Sequence, residues 1–112
     1  MCDDDWPQGC PLPPDFLCDA GIAEWRRQAP ELYLAGHLWP LYEGAFSAYC
    51  SAYGAWAKVE RLAELPDDQP DQVRILLREM AREHALRVVT SAAEFYIEPS
   101  PRVRDRAAEP RK

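Results

Sequence analysis

The chain has only two histidines and five glycines, and no Gly-rich stretch of the kind that cradles a phosphate. A nucleotide-hydrolysing loop or a dinucleotide fingerprint is therefore not expected. Its four cysteines, Cys2, Cys10, Cys18 and Cys50, never fall into C-x-x-C spacing, which removes the usual zinc-ribbon and thiol-redox patterns. No apolar run approaches the roughly 20 residues that cross a bilayer. The opening MCDDDWPQGC has neither the basic start nor the apolar middle of a secretion signal. A soluble chain that stays in the cytoplasm is the expectation, with no membrane partner. Cations are also scarce: 13 Lys and Arg face 19 Asp and Glu, for a net charge of −6. That balance argues against a surface built to coat duplex DNA, which needs clustered Lys and Arg. No alternation of period two marks a strand.

The 112 residues fit one small domain, and 47% of them are apolar, enough for a real core. The charge is uneven. Cys2–Asp19 holds five aspartates and no Lys or Arg, whereas Arg102–Lys112 holds five cations against Asp105 and Glu109. Residues 1–13, with Pro7, Pro11 and Pro13, read as a flexible acidic arm. A first helix is expected from Asp15 or Asp19 to Gln28, with Phe16, Ile22, Trp25 and Ala29 near one face. Pro30 either breaks it or opens a short continuation that Gly36 ends.

A second helix, about Pro40–Leu65, carries Leu41, Ala45, Tyr49, Ala52 and Trp56 at spacings of three and four, with Leu62 or Ala63 about two turns further on. Phe46, Cys50, Tyr53 and Ala57 widen that stripe. After the breaker LPDDQPDQ, a third helix runs to Tyr96. Its expected seam is Val73, Leu77, Met80, His84, Val88, Ala92 and Phe95. The fold class is all-α: a long antiparallel hairpin with a shorter N-terminal helix beside it and extended termini. Residues 14–97 form the helical oligomerisation core and 98–112 a basic, extended C-terminal tail. Glu98-Pro99 stops the third helix, and Pro101 is expected to hold the following chain extended.

Catalytic patterns are lacking. A carboxylate-bridged metal bundle uses Glu-x-x-His, but Ala81 stands three residues before His84. His37 sits in a turn, and nothing near Cys50 in sequence supplies a base. No catalytic residue, metal site or cofactor is expected. The aromatics Trp25, Trp39, Trp56, Tyr49, Tyr53, Phe46 and Phe95 are candidates for stacking on bases, but their helical spacing favours core and subunit interface.

Five blocks in order resemble the phage terminase small subunit family: WRRQAPEL from Trp25, GHLWPLYEGAF from Gly36, YCSAYGAW from Tyr49, the proline-bearing LPDDQPDQ, and FYIEPSPRVR from Phe95. The last is the most specific. The family commonly shows Phe-Gly-Leu-Thr-Pro-Ser-Ser-Arg there, and this chain has Tyr96, Ile97, Glu98 and Pro101 at the Gly, Leu, Thr and second Ser. The resemblance implies a non-catalytic adaptor that forms a homo-oligomeric ring, recognises double-stranded viral DNA and recruits the large terminase ATPase–nuclease in the host cytoplasm. It points to Arg102, Arg104, Arg106, Arg111 and Lys112, with Arg26 and Arg27 as a second patch, for contact with DNA or the large subunit. Glu98 places a negative charge where the family has a neutral residue, and a ring repeats each small basic patch many times. The oligomer and core seam is assigned to Val73, Leu77, Met80, His84, Val88, Phe95, Trp56, Tyr53 and Tyr49. The alternative is an acidic helical protein-interaction module with no DNA role. A metal-binding helical bundle ranks third.

Overall fold

Helix punctuation explains the architecture. In the computed structural model, which describes residues 6–64 and 70–109, the chain forms α1 (Asp19–Leu34), a 3-10 turn (Pro40–Tyr42), α2 (Glu43–Ala63), α3 (Asp71–Glu94) and α4 (Pro101–Ala108). There is no strand among the described residues. The all-α expectation holds: α2 and α3 make the hairpin, and α1 packs on α2. Pro30 does not end the first helix but lies inside it. Leu65, expected to close the second helix, belongs to 65–69, outside the described residues, as does most of the LPDDQPDQ loop.

Two helices end in the same way. At the end of α1, the N–H of His37 donates to Leu32 O and that of Gly36 to Tyr33 O, with Gly36 at φ 80°. At the end of α3, the N–H of Ile97 donates to Ala92 O and that of Tyr96 to Ala93 O, with Tyr96 at φ 57°. Both are Schellman closures, which require a left-handed residue just past the helix. Glycine meets that requirement freely. Tyrosine meets it at a cost of about 1–2 kcal/mol.

Trp25, Phe46 and Tyr49 form the centre of the core, with Trp25 and Phe46 at a centroid distance of 4.7 Å and Phe46 and Phe95 edge to face at 5.5 Å. Of the widened stripe of α2, Phe46 and Cys50 are wholly buried and Tyr53 and Ala57 half-buried, whereas Leu41 and Leu62 are exposed. Phe16, expected on the buried face of the first helix, is exposed too. Helices α1 and α2 cross closely at Gly21 and Gly54: a Cβ on Gly21 would sit 2.9 Å from the carbonyl oxygen of Cys50.

The expected seam of α3 divides between the core and the surface. Val88, Ala92 and Phe95 are buried, and Leu77 and His84 are half-buried, but Val73 and Met80 are exposed. The buried track instead runs through Ala81, Ala85, Val88 and Ala92. Three of these four are alanines, so the buried line of α3 is made largely of methyl side chains.

Both termini also differ from expectation. Residues 6–13 are packed rather than free: the Trp6 indole donates to Cys10 O at 2.9 Å and the Trp25 indole to Pro11 O at 3.0 Å. The segment read as an extended tail contains α4. Ser100 caps it by accepting from the Val103 N–H at 3.4 Å, and Pro101 takes the first helical position. There the missing N–H costs nothing and the fixed φ favours a helix start. The same proline that stops one helix can open the next.

Candidate functional site

Two polar clusters stand out, one where the α3–α4 connector meets the α1–α2 face and one between α4 and α2. The first surrounds Glu24, on the buried face of α1 and only 3% exposed. Its carboxylate accepts from Arg27 Nε at 2.8 Å, from a second Arg27 nitrogen, from Gln28 Nε2 at 3.3 Å and from the Tyr49 hydroxyl. Those four donors fill the carboxylate's acceptor positions. The Arg27 guanidinium also lies 5.7 Å from the Tyr53 ring centroid. A cavity of about 320 Å³ opens beside the cluster, lined by Glu24, Arg27, Tyr49, Tyr53, Glu98 and Ser100 among others.

The electrostatics of this cluster are those of a structural brace. Burial pushes the Tyr49 phenol up, and its hydrogen bond to Glu24 pushes it further. Burial likewise raises the Cys50 thiol, with Glu24 adding to the effect. A buried thiol held protonated is a poor nucleophile. Burial also raises Cys10, with help from Glu43. No group of three or more His, Cys, Asp or Glu among the described residues is placed to hold a metal ion.

The second cluster ties α4 to α2. Glu60, 6% exposed, accepts from Arg106 Nε at 2.8 Å and from a terminal Arg106 nitrogen at 2.5 Å. This is a bidentate pair, the strongest geometry for arginine and carboxylate. Arg106 reaches Glu109 at 2.8 Å as well, and Arg82 Nε donates to the Glu109 carbonyl oxygen at 2.7 Å. Burial would raise the Glu60 carboxyl, but Arg106 and Arg102 together hold it below its ordinary value. The Glu60 hydrogen bond raises Arg106 in turn.

The predicted contact residues divide accordingly. Arg102 pairs with Glu64 and, at 3.9 Å, with Glu60; Arg104 lies 3.7 Å from Glu98; both guanidiniums remain largely exposed. The Arg106 side chain is 13% exposed and engaged on both sides. Arg26 and Arg27 are exposed on α1, with Arg27 committed to Glu24. Arg111 and Lys112 lie outside the described residues. Of the seam residues, Tyr49, Trp56, Val88 and Phe95 are buried in the core and Tyr53 is half-buried beside Trp56.

Sequence reasoning missed Glu24 and Glu60. Each carried a legible signal: Glu24 precedes Trp25 on the buried side of α1, and Glu60 lies one turn after Trp56 on the apolar stripe of α2. A carboxylate on a buried stripe requires a partner. No helix among the described residues is long and apolar enough to cross a membrane. No family model, no curated protein and no solved structure matches the chain.

Proposed function

We propose that the chain is a small terminase subunit: a non-catalytic adaptor that assembles with copies of itself into a ring, engages double-stranded viral DNA and recruits the large ATPase–nuclease in the host cytoplasm. The observation that carries assembly is an apolar strip left uncovered on α3. Val73, Leu76 and Met80, spaced by three and four residues, share one face and are 39%, 56% and 38% exposed. Leu62, near the end of α2, is exposed as well. Support for the family assignment comes from FYIEPSPR. Phe95 and Ile97 are buried, Tyr96 is left-handed, Ser100 caps and Pro101 opens α4. The family's aromatic, Gly, Leu and Pro-Ser pattern is what such a helix-stop, helix-start junction requires.

One observation favours a second reading, an acidic protein-interaction module without a DNA role. The arginines of α4 are all paired with carboxylates of the same chain. The two readings separate on the product of the adjacent gene. Under the terminase assignment it is a large protein with an ATPase phosphate loop and nuclease carboxylates, and it co-elutes with this chain when the two are expressed together. A neighbour without those features, or one that elutes apart, overturns the assignment.

A further inference from the structure

Helix α4 carries the positive charge that a DNA-contacting element would present, but that charge is spent inside the molecule. Arg102 is engaged by Glu64 and Glu60, Arg104 by Glu98, and Arg106 by Glu60 and Glu109. The pairs are not equivalent. Those of Arg102 and Arg104 are exposed and exchange readily for another anion. That of Arg106 is buried and bidentate. Val103, fully buried, supplies the apolar anchor of the same helix, and Ala107 packs against the core. The segment joining α4 to α3, Ile97–Ser100, contains no helix. Released, an eight-residue helix is too short to persist alone. Helix α4 packs along α3 and reaches Glu60 and Glu64 through its arginine side chains; it is therefore either docked there or largely unwound.

We infer that α4 is an intramolecular mask: docked, it buries Arg106 against Glu60 and holds Arg102 beside Glu60 and Glu64, and duplex DNA binds by displacing those two carboxylates. This rests on the terminase assignment and adds the regulation of its DNA contact. The tethered carboxylates act at an effective concentration of about millimolar, so DNA phosphates must outcompete a strong internal rival. Phosphate oxygens accept the same charge-assisted hydrogen bonds from arginine that carboxylates do. A lone copy consequently binds DNA weakly, and a repeated array of copies overcomes the mask.

The test uses the full-length chain and a labelled duplex of about 30 base pairs at fixed ionic strength. Val103→Ser removes the apolar anchor without changing charge, and Glu60→Gln removes the buried clamp. Glu31→Gln, on the exposed side of α1, controls for the change in net charge. Hydrogen exchange reports whether the α4 amides open, and fluorescence anisotropy reports DNA affinity. The expected result is faster exchange in α4 for both Val103→Ser and Glu60→Gln, with DNA affinity raised about tenfold or more. Glu31→Gln should stay within about twofold of the unaltered chain. Should Val103→Ser also lose protection throughout α2 and α3, Glu60→Gln decides. Slow exchange of α4 in Glu60→Gln overturns the mask, because Glu60 is then not what holds the helix. Opened α4 with unchanged affinity also overturns it and leaves the DNA assignment standing. Opened α4 with no DNA binding by any variant overturns the DNA assignment, and the mask with it.

Discussion

The Tyr49 hydroxyl donates to the Glu24 carboxylate across the α1–α2 interface, joining two buried residues 25 positions apart in sequence. Tyr49→Phe keeps the ring in place and takes away one donor, leaving a buried carboxylate under-satisfied. Such a loss costs about 1–3 kcal/mol. Urea denaturation should show the midpoint falling with an unchanged slope. An unaltered midpoint would mean that Arg27 and Gln28 suffice to hold Glu24.

The left-handed tyrosine at the end of α3 yields a prediction of opposite sign. Tyr96→Gly relieves a conformation that an L-residue adopts at a cost, and should stabilise the chain by about 1 kcal/mol. The gain is reduced by the loss of the His37–Tyr96 ring contact, at 5.3 Å. Gly36→Ala, at the matching position after α1, should destabilise by a similar amount although a Cβ there meets open space. Thermal unfolding of the two variants compares them directly.

Close approach of α1 and α2 gives a graded pair. A Cβ at Gly21 would lie 2.9 Å from the Cys50 carbonyl oxygen, which is backbone and cannot step aside. At Gly54 the nearest atom is the Cys18 side-chain sulfur, which can rotate. Overpacking of this kind costs about 1–3 kcal/mol, offset in part by alanine's better helix propensity. Gly21→Ala should therefore lose more stability than Gly54→Ala. The reverse order, in parallel denaturant titrations, would contradict the crossing.

Acid should weaken the fold through two groups acting in the same direction. Burial, with Arg87 adding to it, lowers His84 from 6.5, and its Nδ1 is buried with no hydrogen-bond partner among the described residues. The unfolded chain then binds that proton more readily, so stability is full above pH 6.5 and drops as pH falls below it. Glu60, lowered from 4.5, contributes stability that is present above that value and is lost as pH falls through its folded value. His84→Gln should flatten the first part of the pH–stability curve and leave the second. A curve unchanged by the substitution would show that His84 titrates normally in the folded chain.

Much of this fold was written in spacings that survive any detail of packing. Trp25, Phe46, Tyr49, Val88 and Phe95 recur at helical intervals, and large apolar side chains at such intervals find the core. The seam of α3 was harder because close helix contact is made by the smallest side chains. Ala81 and Ala85 gave no signal to a search for bulk. Helix α4 is hard to see in the sequence because Pro101 reads as a breaker, whereas a proline after a capping serine opens a helix. The role of Arg106 depends on Glu60, 46 positions away, and no local pattern carries a partner at that distance.

Sedimentation velocity of the purified chain, run beside Leu76→Asp at the same concentration, tests the assembly claim most directly. The unaltered chain should sediment as one discrete oligomer. The variant, with a charge on the uncovered strip of α3, should move toward the 12.8 kDa monomer with its helix content intact. An unaltered chain that sediments at 12.8 kDa at tens of micromolar, in both low and high salt, would contradict the account.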